Sequence, residues 1–381
     1  MQTFLMIVGG LVVGLVLFLV ATIVALRFFV RSKLGQLKDV IERLVADASI
    51  AVPPFRLKLT PLSRGAWQDK RVDTLAGELG VRGFESAGDF VADLTPLELN
   101  VRLLTHRDLG MQAAIYAHPQ AGVWIDLVTR YTDGRVVCDS SLRDHLMESM
   151  PQKQIRFHPA ASANEVYEQH VALRPPGDWR HVSAENIPSL FEAIYAEEME
   201  WRGARGGPTP AEIARVSERD GTAVSQELID TIRGRWQAAF HEHRLTQLRD
   251  AVVRDGTWDG RELDSLGDRL LFVYDGMPVS AVGEALESVR YFVEEPLADG
   301  DDEAAREERQ AREVADQVTT VGARVAFREL STAYLGQDGF EFRGSLADPI
   351  PADLYLLPDG DGENFEDEDE DEDAGEVDAN R

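Results

Sequence analysis

The sequence predicts a single N-terminal transmembrane helix, then an α+β domain in which an antiparallel meander is flanked by helices, then a mainly α-helical C-terminal region ending in a disordered acidic tail. Three observations predict this fold class. Residues Thr3 to Leu26 carry no charge. Strand-like segments separated by turn residues fill 84–157, and from Ser183 onward apolar residues return at spacings of three and four. The domain plan that follows is an anchor over 1–33, a juxtamembrane helix over 34–52, the α+β domain over 53–175, a helical region over 183–335, an irregular return over 336–358 and the tail over 359–381.

The uncharged run is 24 residues long. At about 1.5 Å per residue it would cross a hydrocarbon core of roughly 30 Å, and it exceeds the apolar stretch of a cleavable signal peptide. Arg27, Arg31 and Lys33 follow it, and no Lys or Arg precedes it. Basic residues resist translocation, so the expected location is the cell membrane, with the N-terminus outside and the C-terminal body cytoplasmic. A lone cysteine, Cys138, suits a reducing compartment. Gly10 and Gly14 form a small-xxx-small pair, and Leu34, Leu37, Ile41 and Leu44 form a short heptad seam. Together they predict a homodimer through the anchor and the juxtamembrane helix.

Pro53 and Pro54 end that helix. Phe55, Leu57 and Leu59 then alternate with Arg56, Lys58 and Thr60, which predicts a half-buried strand. A helix over 69–79 is stopped by Gly80. Strands are predicted near 84–93, 97–104, 112–117, 123–131, 135–140 and 154–157. Asp133-Gly134 suits a two-residue hairpin, the fifth and sixth of these segments are expected to pair antiparallel, and the short connections favour a meander over a parallel sheet. Ser162 and Glu165 fit a capping box at the start of a helix reaching about Leu173. The order strand, helix, meander, helix resembles the helix-grip domains that hold lipids or other apolar ligands.

In the helical region, Thr209, Pro210 and Glu212 make a second capping box. A long helix near 224–253 places Ile229, Ile232, Trp236, Ala239, Phe240 and His243 on one stripe. Another helix over 301–335 carries Ala311, Val314, Val318, Val321 and Val325. Leu270 to Tyr274 is apolar throughout, so periodicity does not separate strand from helix there.

Charge narrows the function classes. The chain has 67 acidic against 39 basic residues, a net −28. From Asp359 onward thirteen Asp or Glu stand against Arg381 alone, so the tail holds −12 and the rest −16. An acidic body argues against a nucleic-acid partner, which needs a basic footprint to displace counterions. The tail should self-repel, stay unfolded and suit a basic protein partner.

The chemistry-bearing residues do not assemble into a recognised catalytic or cofactor motif. His241 and His243 are two apart on a helix and point about 200° away from each other, so they do not converge on one metal ion. Cys138, His145 and His158 supply a thiol and bases, but Asp139 beside Cys138 opposes thiolate formation. Gly203, Gly206 and Gly207 lack the preceding strand and the Lys-Ser/Thr pair of a phosphate loop, and read as a linker. No cofactor is expected. The candidate binding surface is His118, Trp124 and Asp126, where an aromatic ring and a carboxylate share the less apolar face of a strand pair. The expected function is therefore a single-pass, membrane-anchored, non-enzymatic protein whose cytoplasmic domain binds a ligand or a protein. The alternative is a membrane-tethered enzyme with a pocket on the meander.

Overall fold

A computed structural model describes residues 52–63, 65, 67–94, 97–118, 122–144, 147–219, 224–256, 258–293, 303–337 and 339–358. These fall into two compact units that divide between Ala238 and Ala239.

The first unit is built on a seven-stranded sheet in chain order β1 to β7: β1 (Leu59–Pro61), β2 (Glu85–Leu94), β3 (Leu97–His106), β4 (Met111–His118), β5 (Gly122–Arg130), β6 (Val136–Ser140) and β7 (Lys153–Phe157). Neighbours are antiparallel from β1 to β6, as a meander requires. β7 departs from the predicted pattern by running parallel to β6. The chain between them, 141–152, reaches the dozen residues that a parallel return needs. At the predicted Asp133-Gly134 hairpin, Gly134 takes φ +91° and Tyr131 N donates to Arg135 O at 2.9 Å. Phe55, Leu57 and Leu59 are buried while Arg56 and Lys58 are exposed, although ladder pairing begins only at Leu59.

Helices cover both faces of this sheet. α1 (Lys70–Val81) starts at Asp69, whose carboxylate accepts from Arg71 N and Val72 N, and runs through Gly80; the left-handed glycine is Gly83, at φ +93°. α2 (Ala163–Leu173) opens on the predicted Ser162–Glu165 capping box. Val72, Leu75 and Leu79 of α1 and Val166 of α2 pack with Met111, Ile115, Ile125 and Leu127 on one face. On the other face Val101, Leu103, Ala114 and Tyr116 meet Ile187, Phe191 and Tyr195 of α3 (Ile187–Ala204).

α4 (Pro210–Arg219) has the predicted Thr209–Glu212 box, with Glu212 N donating to Thr209 Oγ1 at 3.3 Å and Thr209 N to Glu212 Oε2 at 2.5 Å. The fully buried Glu212 also accepts from Arg205 Nη2 at 2.7 Å. Gly207, read as linker from the sequence, takes φ +84° and lies so close to Trp236 that a Cβ would meet its side chain at 2.5 Å.

Gly110 is tighter still. It closes the turn into β4 at φ +58°, and an added Cβ would lie 1.8 Å from Cδ1 of Trp179. Because Trp179 is 38% exposed and can swing outward, Gly110→Ala should destabilise the first unit by only about 1–2 kcal/mol. Chemical denaturation followed by tryptophan fluorescence checks this; an unchanged midpoint would show that the backbone absorbs the methyl group.

The long α5 (Gln226–Arg254) carries the chain into the second unit. There β8 (Leu270–Tyr274), β9 (Glu341–Leu346) and β10 (Ala352–Leu356) form an antiparallel sheet with β10 in the centre. The unit also contains α6 (Gly260–Leu266), α7 (Val279–Val293), α8 (Glu303–Val321) and α9 (Ala323–Ser331). One core joins Leu248 and Val252 of α5, Val282 and Leu286 of α7, and Phe327 of α9 to Phe272 and Leu354 of the sheet.

These observations correct the predicted fold class in three places. The C-terminal region carries a three-stranded sheet beside its helices, and residues 336–358 hold two of those strands where an irregular return was expected. The single predicted helix over 301–335 is broken at Gly322, which takes φ +84°. The transmembrane helix is the third correction: no helix among the described residues is long and apolar enough to cross a membrane. Even the 29-residue α5 carries charged residues along its whole length. The run 3–26, the association residues Gly10, Gly14, Leu34, Leu37, Ile41 and Leu44, and the acidic tail lie outside the described residues.

Candidate functional site

Strand alternation divides the chemistry of β5 and β6 between the two sheet faces. Asp126 pairs with Ser140 and Val128 with Cys138, so these four side chains face α3. Thr129, Leu127 and Asp139 face the opposite way, toward α1 and α2. A polar cluster lies on each side.

Facing α3, a cavity of about 80 Å³ is lined by Gln112, Tyr116, Asp126, Cys138 and Lys153 among apolar side chains that include Phe191. Ser140 Oγ donates to Asp126 Oδ1 at 2.5 Å, and the Tyr116 hydroxyl also hydrogen-bonds this carboxyl. Burial pushes the Asp126 carboxyl up to about 6, against the opposing effects of Ser140 and of the positive Lys153. Burial and the adjacent Asp126 raise both the Tyr116 hydroxyl and the Cys138 thiol well above their ordinary values. Lys153 Nζ donates to Glu198 Oε2 at 2.7 Å, and Arg202 Nη2 to Glu198 Oε1 at 2.6 Å, so this ion pair fastens α3 to β7. Gln112 is buried, and its Oε1 accepts no hydrogen bond among the described residues. Leaving such an acceptor unpaired costs about 1–3 kcal/mol.

On the opposite face Asp139, with no exposed surface, gathers three partners. Arg156 reaches both carboxylate oxygens, with Nε 2.8 Å from Oδ1, while His158 Nε2 lies 2.7 Å from Oδ1 and His170 Nδ1 2.7 Å from Oδ2. His170 Nε2 is 2.8 Å from Thr129 Oγ1. Burial raises the Asp139 carboxyl, but His170, Arg156 and His158 outweigh burial and hold it well below the usual carboxylate range. The Thr129–His170–Asp139 chain has the connectivity of a nucleophile, base and orienting acid. Its three side chains are nevertheless fully buried, so no substrate has a face from which to approach Thr129. Arg156 already occupies the oxygens that a metal would use, and no group of three His, Cys, Asp or Glu among the described residues could hold a metal ion.

The predicted surface residues are thus split. Asp126 lines the cavity beneath α3. Trp124 stacks on Tyr116, with ring centroids 4.8 Å apart and planes inclined by 17°, and so buttresses the cavity. His118 lies at the β4–β5 turn, outside the cavity lining. Cys138 and His158 are not brought together, because His158 binds Asp139 on the far face; His145 lies outside the described residues. His241 places Nδ1 2.9 Å from the Tyr274 hydroxyl, while the ring of His243 sits 6.4 Å from that of Phe240.

Sequence reasoning missed Gln112, Ser140, Lys153 and Glu198. One signal was present: polar residues at alternate positions of otherwise apolar strands, at Gln112 on β4, Asp126 on β5 and Ser140 on β6. The partners on α3 gave none, since a carboxylate four residues before an Arg reads as an ordinary exposed helix pair. No family model matches the chain, and neither the curated proteins nor the solved structures contain a match to it. The fold and the site therefore define its class: a mixed α/β protein with a seven-stranded sheet covered on both faces and a small, mainly apolar cavity with a few polar groups under one helix.

Proposed function

We propose that this chain is a non-enzymatic ligand-binding protein whose first unit takes a compact molecule in the cavity between the sheet and α3. The observation that carries this reading is the Asp126 carboxyl, pushed up to about 6 and lining that cavity. A perturbed ionisable group in a concave site is a common mark of function. A carboxyl near 6 would also serve proton transfer. Binding is favoured because the neighbouring Cys138 thiol is driven away from the reactive thiolate by burial. The size bounds the occupant: drug-sized ligands use pockets of roughly 300–1,000 Å³, far more than this cavity holds. A lipid chain, as in the helix-grip domains, would require α3 to move.

Cys138 is the chain's sole cysteine, so the full chain labelled with ¹⁵N-cysteine gives a single amide resonance beside the cavity. Fragments of about four to six heavy atoms should shift it saturably. Ala114→Leu, which fills space opposite Asp126, should abolish the shift. A shift that is linear in fragment concentration, or that survives Ala114→Leu, would overturn the proposal.

A further inference from the structure

Resting on the cavity reading, the geometry points to a ligand class: a primary carboxamide or urea, presenting N–H donors to Gln112 and Asp126 and a carbonyl oxygen to Lys153. Gln112 lies opposite Val128 and Ala114 opposite Asp126 on the β4–β5 pair. The two acceptor residues are therefore diagonal neighbours on one face, a spacing of about 7–8 Å with the Cβ atoms somewhat closer, and both side chains line the cavity. Gln112 is only 8% exposed, yet its Oε1 has no donor among the described residues. A ligand N–H placed there restores a hydrogen bond lost when the amide was buried, whereas a ligand carbonyl at the same point would repel it.

The remaining polar groups fit the other end of such a molecule. An ammonium has three donors, and the Lys153 bond to Glu198 uses one. Glu198 is itself shared with Arg202, so the local charges already answer one another and a neutral ligand is preferred to an anion or a second cation. Asp126 keeps acceptor capacity after the bonds from Ser140 and Tyr116, since a carboxylate has about four lone-pair sites. Volume sets the scale. About 80 Å³ is two to three times the roughly 30 Å³ of one liquid water, which admits an acetamide- or urea-sized group and little more without movement of α3.

The test uses the full chain with the ¹⁵N-Cys138 resonance as reporter and two probes of equal heavy-atom count, acetamide and acetone. Both offer a carbonyl; acetamide alone offers N–H donors. Acetamide should bind about tenfold or more tightly than acetone, the discrimination that one or two satisfied buried acceptors supply. Gln112→Met keeps the side-chain shape, removes the orphan acceptor and should reduce the acetamide preference severalfold, leaving only the part due to Asp126. Urea-free thermal melting of this variant checks that it folds. Equal affinities for the two probes would overturn the ligand class and leave the cavity reading standing. No saturable shift with either would overturn both, as expected of a cavity that holds only water. Unaltered acetamide preference in a folded Gln112→Met protein would also overturn the inference.

Discussion

Asp139→Ala should destabilise the first unit by roughly 3–5 kcal/mol, the loss seen when one partner of a buried ionic network is removed. The substitution leaves the guanidinium of Arg156 and the rings of His158 and His170 around a hole, and His170 is as fully buried as Asp139. It also unties three elements at once, because these residues come from β7, the segment after it and α2. Five of the six tryptophans precede Ala239, so urea denaturation followed by fluorescence reports mainly on this unit. A loss below about 1 kcal/mol would mean that water or repacking replaces the carboxylate.

The pH dependence of the same unit follows from two carboxylates with opposite shifts. Asp139 is held below its ordinary 3.8, so its contribution is present above that value and is lost as pH falls through the lower folded pKa. Asp126 is raised from 3.8 to about 6, so between those values the folded protein holds a proton that the unfolded chain has released. Stability must then fall as pH rises through that window, by up to about 3 kcal/mol. Asp126→Asn should flatten this decline and leave the acid limb due to Asp139 in place. A decline between pH 4 and 6 that persists in Asp126→Asn would assign it to another group.

In the second unit the largest effect is expected from Asp353→Ala, at about 2–4 kcal/mol. Asp353 lies on the central strand β10 with no exposed surface, and accepts from Arg324 Nη2 at 2.8 Å, Arg328 Nη2 at 2.6 Å and Ser345 Oγ at 2.6 Å. Burial raises its carboxyl, yet Arg324, Ser345 and Arg328 together bring it below the ordinary value. The expected loss is smaller than at Asp139 because Arg328 is 53% exposed and can return to water. Amide exchange should accelerate in β8, β9 and β10, leaving the seven-stranded sheet protected. Faster exchange in β4 and β5 as well would show that the two units do not unfold independently.

What was legible in the sequence was whatever depends on near neighbours. Two-residue alternation located β2 to β7 within a few positions, and the Ser162–Glu165 and Thr209–Glu212 boxes marked the starts of α2 and α4, because capping is settled within one turn. Alternation likewise placed Trp124 and Asp126 on one face of β5. Distant partners were not legible. Leu270 to Tyr274 became a strand because β10 pairs with it from more than 75 residues away. The 301–335 helix broke at Gly322, where α9 turns to pack Phe327 into a core that also contains Tyr355.

The candidate site follows the same division. By itself the sequence determined the strand periods, the helix starts, the acidic charge and the shared face of Trp124 and Asp126, since each is set by spacing along one segment. Only the tertiary structure decided that α3 covers this face, that Asp126 has Gln112 and Lys153 as cavity neighbours, and that Asp139 gathers Arg156, His158 and His170 behind it. The physical reason is desolvation. A carboxyl moves to about 6, or well below its ordinary range, according to which groups remain within reach after water has left, and those groups come from strands and helices that local sequence does not connect.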